Sequence, residues 1–219
     1  MKIPSRGVRG FTALALALCA APSVAQSDCN LSGYWETRGG VVTLELDESA
    51  LRARGVKAGA WRSTARSRLR PHLDTSYRVE YGERSRLVFA SNRGGFSSVI
   101  SGSLRSVGTL VLQLPSGREL EVGDFELCLA MHHNGSHFSG SLCDRRSTDQ
   151  EVFVLTARDA RKLARFDGHG QRLEWAGIEL RFSAPWAKAQ GAPELAGVRA
   201  GWLHLEAPVG PATVFEPER

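Results

Sequence analysis

The chain lacks any apolar run long enough to cross a bilayer as a helix. Its longest, Phe11 to Ala21, covers eleven positions, whereas a spanning helix needs roughly 20. It also lacks Gly-x-Ser-x-Gly, a phosphate-cradling glycine loop, Cys-x-x-Cys and His-Glu-x-x-His. The local signatures of serine hydrolases, nucleotide-binding enzymes and zinc enzymes are therefore missing. Cysteine is scarce, with four among 219 residues. Helix signals are few, and residues 49 to 73 contain no acid at all.

What is present begins with an export signal. Lys2, Arg6 and Arg9 form a basic start, Phe11 to Ala21 an apolar segment, and Ser23-Val24-Ala25 a small-residue cleavage site. Residues 1–25 are read as a signal peptide, and the protein as periplasmic or secreted. Cys19 follows Leu18, where a lipoprotein signal carries a small residue, which argues against a lipid anchor. Cleavage after Ala25 leaves 194 of the 219 residues and lowers the net charge from +5 to +2. That weak balance does not suit nucleic acid as a partner. Of the four cysteines, Cys29, Cys128 and Cys143 then remain, which in an oxidising compartment suggests one disulfide and one spare thiol.

The mature chain reads as strands. Tyr77 to Tyr81 alternates apolar and charged residues, as does Leu44-Glu45-Leu46. Leu110, Leu112 and Leu114 recur at period two, and so do Ile178, Leu180 and Phe182. Gly39-Gly40, Asn92 to Gly95, Ser116-Gly117 and Asn134-Gly135 separate the runs. The spacing predicts an all-β fold with minor helix: an antiparallel up-and-down β-barrel or a related sandwich. Its main body is placed over 26–157, with 158–219 as a β-rich C-terminal extension packing on it. Asp47 is expected to cap a short helix ended by Gly55. Thr156 is expected to cap a second over 158–165, closed by Gly168.

One hairpin can be solved on paper. If Asn134-Gly135 forms a two-residue type I′ turn, residues whose numbers sum to 269 face each other. One face then carries Phe125, Leu127, Leu129, Met131, Phe138 and Leu142. The other carries Glu126, Cys128, His132, His137, Ser139, Ser141 and Cys143. A slip of one residue would turn the apolar set to water. Cys128 and Cys143 become diagonal neighbours, Cβ atoms about 7 Å apart, wider than the roughly 4 Å of a disulfide. His132 and His137 become cross-strand partners that could hold Zn²⁺ or Cu²⁺, although turns also collect histidines without function.

Cys29-Asn30-Leu31-Ser32-Gly33-Tyr34-Trp35 resembles the first strand of calycin barrels. Gly33-x-Trp35 is similar to the lipocalin opening, and Cys29 to Trp35 to the avidin one. The resemblance implies a barrel over about 28–157 with Cys29 bridged to Cys143. It does not extend to biotin, because Thr37 stands where avidins have asparagine and Phe153 where they stack a tryptophan. Lipocalin-like function implies binding of an apolar small molecule or lipid inside the barrel. Trp35, Trp61, Phe125, Leu127, Leu129, Met131 and Phe138 are the candidate lining residues, each equally at home in an ordinary core.

The alternative reading is a protein-interaction module, an inhibitor or assembly factor. It would use the basic 52–70 segment, with Arg62, Arg66, Arg68 and Arg70 facing a protein partner or an anionic envelope surface. A third is an exported hydrolase or metal-dependent enzyme. No cofactor is expected.

Overall fold

A computed structural model describes residues 32–63, 76–80, 82, 85–131, 138–157 and 160–212. It is all-β, with thirteen strands: β1 (Gly33–Thr37), β2 (Gly40–Leu46), β3 (Lys57–Ser63), β4 (Ser76–Val79), β5 (Arg86–Asn92), β6 (Gly95–Gln113), β7 (Glu119–Gly123), β8 (Glu126–Met131), β9 (Phe138–Cys143), β10 (Glu151–Ala157), β11 (Ala164–Asp167), β12 (Arg172–Phe182) and β13 (Arg199–Pro211). Among the described residues three short α-helices accompany them: α1 (Glu48–Arg52), α2 (Ala160–Leu163) and α3 (Ala184–Ala189).

All strand pairings are antiparallel, and they close on themselves. From β12 the ladder runs through β10, β9, β8, β6, β4, β2 and β13 and returns to β12. Neighbours in this ring are not all neighbours in sequence. β13 pairs with β12 along one edge and with β2 and then β1 along the other. The residues after 158 thus supply three strands of the same sheet, two of them, β12 and β13, in the ring. β1 also pairs with β5, and β5 with β6, so a second path joins β13 to β6. Beyond Gly108, β6 leaves the ring and lies between β3 and β7.

The β8–β9 hairpin has the register read from its turn. Glu126 faces Cys143, Leu127 faces Leu142, and the series continues to Met131 opposite Phe138. Leu127, Leu129 and Leu142 are buried, while Cys128 and Cys143 are half-buried on the other face. Both are free thiols. The structure therefore does not contain the Cys29–Cys143 bridge that the calycin resemblance implies, and Cys29 itself lies outside the described residues.

The first expected helix is present, capped at Asp47. The second is only α2, and Ala164 to Asp167 instead pairs with β12. Four residues form barely one helical turn, which propensity alone does not hold against sheet pairing. β12 is continuous through a bulge between Trp175 and Ile178, where Gly177 takes φ +78°, a value open to glycine.

The core is rich in aromatic rings. Trp35, Phe89 and Phe166 pack edge to face, and Phe89 leads through Phe96 to Trp175. A second series runs Tyr77, Phe125, Phe153, Phe182, Trp186, ending in a stacked pair. Asp144 is fully buried and accepts from Gly123 of β7 and from the turn that follows β9, which fixes that turn to the β7–β8 junction.

Candidate functional site

A groove of about 330 Å³ lies where α1 meets β3, lined by Glu48, Leu51, Arg52, Val56, Lys57 and Ala58. Its shape follows from local sequence. The Asp47 carboxylate accepts the Ala50 N–H at 3.0 Å and the Ser49 hydroxyl at 2.6 Å, starting the helix. Glu48 in the first turn and Arg52 in the last suit the helix dipole. Gly55, at φ +71°, ends the helix. The Gly55 N–H donates to the Arg52 carbonyl and the Val56 N–H to the Leu51 carbonyl, each at 3.0 Å. This pair of bonds is a Schellman motif, which brings an apolar residue after the helix against one inside it. Here those residues are Val56 and Leu51, both buried, and they make the floor.

The rim is cationic. Arg52 and Lys57 are exposed, and among the described lining residues Glu48 is the acid that opposes them, 3.5 Å from Arg52. Asp47 also ties the helix to β13. Arg199 donates to its carboxylate through Nε at 2.8 Å and Nη2 at 2.5 Å, and Arg199 itself lies over the Trp202 ring at 4.9 Å. The Ser49 hydroxyl, the Ala50 N–H and Arg199 together lower the Asp47 pKa to about 2. The carboxylate is therefore charged throughout the physiological range.

The residues expected to line a barrel interior fall into two groups. Trp35, Phe125, Leu127 and Leu129 belong to one hydrophobic core. Trp61 and Arg62 are in β3, Met131 ends β8 and Phe138 opens β9, but their side chains are not among those described. Arg66, Arg68, Arg70, His132 and His137 lie outside the described residues. Among the described residues no group of three or more His, Cys, Asp or Glu is placed to hold a metal ion, and no helix is long and apolar enough to cross a membrane.

Two polar centres were not legible in the sequence. Glu126 collects Arg145 at 2.7 Å, Arg105 at 3.6 Å and the Ser103 hydroxyl at 3.1 Å. His204 is buried on β13; its Nδ1 accepts the Gly177 N–H at 3.2 Å and its Nε2 lies 3.1 Å from Glu45. With Nδ1 accepting, Nε2 carries the proton and donates to the carboxylate. Both ring nitrogens are engaged, so His204 ties the bulge in β12 to Glu45 of β2. Neither centre has a local motif, because each is assembled from strands far apart in sequence.

The fold and the groove define an all-β protein with an amphipathic recess at its periphery. Compared with known proteins, the chain matches no family, no curated protein and no solved structure.

Proposed function

We propose that this is an exported binding protein for an amphiphile with an anionic head group, held in the groove between α1 and β3. One observation carries the reading: an apolar floor of Leu51 and Val56 is rimmed by Arg52 and Lys57 in a recess of about 330 Å³. That volume is at the small end of ligand sites, which run from about 300 to 1,000 Å³. It suits an acyl chain of modest length better than a bulky ring system. The floor accepts the chain, and the guanidinium and ammonium groups pair with a carboxylate or phosphate head.

Dodecanoate and dodecyl maltoside are the probes, equal in chain length and different in head-group charge. Isothermal titration of the mature protein should show dodecanoate binding at least tenfold tighter than the maltoside. Arg52→Ser combined with Lys57→Ser should abolish that preference. Equal affinity for the two probes, or a preference that survives in the double variant, refutes the proposal.

A further inference from the structure

The β8–β9 hairpin carries two thiols that the groove does not use. Glu126, Cys128, Ser141 and Cys143 share the face turned away from Leu127 and Leu142. β6 adds Ser103 beside Cys128 and Arg105 beside Glu126, and β10 places Glu151 beside Cys143. Cys128 is directly opposite Ser141, and Cys143 directly opposite Glu126, so the two cysteines are diagonal. Their thiols are free and half-buried, and the Ser141 hydroxyl lies 3.8 Å from the Cys143 sulfur.

Diagonal neighbours on paired strands stand about 7 Å apart. A disulfide joins sulfurs only about 2.05 Å apart and draws the Cβ atoms to roughly 4 Å, so this register does not favour a direct bond. A two-coordinate metal spans more. Two metal–sulfur bonds of about 2.3 Å hold the sulfurs roughly 4.6 Å apart. We propose that Cys128 and Cys143 form a dithiol site for a soft monovalent cation of the copper(I) class, the ions that thiolate ligands select. Loading replaces both thiol protons: two R–SH and Cu⁺ give [RS–Cu–SR]⁻ and two H⁺. Arg105 and Arg145 stand near the thiols and are already paired with Glu126, Arg145 with Asp149 as well.

The test uses the mature full chain and Cu(I) delivered in competition with a chromogenic chelator. One Cu(I) per chain is expected. Cys128→Ser and Cys143→Ser should each lower the affinity at least 100-fold, and Cys29→Ser should leave it unchanged. Alkylation of the wild-type protein with iodoacetamide, followed by peptide mass spectrometry, needs no variant: Cu(I) should protect Cys128 and Cys143 together. Full affinity in either single variant, or protection that falls on Cys29 and only one of the pair, overturns the proposal. So does a disulfide at Cys143 in the exported protein under non-reducing mapping.

Discussion

Asp144→Asn tests how much of the stability rests on one buried carboxylate. Oδ1 accepts N–H groups of Gly123 at 2.9 Å, Arg146 at 3.0 Å and Ser147 at 3.3 Å. Oδ2 accepts the Thr148 N–H at 2.7 Å and the hydroxyls of Thr148 and Ser147 at 2.7 and 2.8 Å. An amide keeps one accepting oxygen and turns an NH₂ toward the Oδ2 donors. The two hydroxyls can rotate to accept, but the Thr148 N–H is stranded, at about 1–3 kcal/mol, and the remaining bonds lose their charged acceptor. A loss of about 3 kcal/mol follows, equal to roughly 6–12 °C in Tm for a chain of this size. Calorimetry at pH 7 measures it, and a loss under about 1 kcal/mol would refute the reasoning.

The pH dependence has a definite sign. Burial disfavours the Asp144 charge, but the donors from Gly123, Thr148 and Ser147 outweigh it and hold the carboxyl below its usual 3.8. The stabilisation is therefore present above pH 3.8 and is lost as the pH falls through the lowered value. The gap between wild type and variant should narrow on acidification. A gap as large under strong acid as at neutrality would assign the effect to shape rather than charge.

Three further outcomes follow from the same geometry. A methyl group at Gly108 would overlap the buried Tyr77 ring, which is held edge-on by Phe125, so Gly108→Ala should cost about 3 kcal/mol in denaturant titration. Phe153→Ala removes a fully buried ring that touches Phe125 and Phe182 and should cost about 3–5 kcal/mol by the same assay. Asp47→Ala removes the cap of α1 and its tie to Arg199. It should weaken dodecanoate binding at pH 7 and lower Tm, the Tm effect being present above pH 3.8 and fading as the pH falls toward about 2.

What was legible in the sequence was local. Reading Asn134-Gly135 as a two-residue turn predicts Leu127 opposite Leu142, the pairing the β8–β9 ladder has, because that register buries a single face. The α1 cap and its Gly55 terminus were readable for the same reason: both ends are written within nine residues. The groove was half readable. Its cations stood out as an acid-free stretch, but its floor did not, because Leu51 and Val56 meet only through the Schellman turn. The partners of β13 were not readable. Nothing near Arg199 announces Asp47, 152 positions earlier, and nothing near His204 announces Glu45 or Gly177. Alternation reports that a strand has an inner face but not which strand lies beside it.

The same logic separates an interior ligand site from a peripheral one. Phe125 was a candidate lining residue for a hollow barrel, yet it packs against Tyr77 on one side and Phe153 on the other. A ligand beside it would have to displace rings that already fill one another's contacts, and interiors at crystal-like density do not yield that space cheaply. Phe125→Leu trims this region without opening the groove. It should lower Tm while leaving dodecanoate affinity unchanged, provided titration is done well below the new midpoint. A loss of affinity in folded Phe125→Leu, with Arg52→Ser and Lys57→Ser harmless, would move the site indoors and turn the groove into a surface feature of α1.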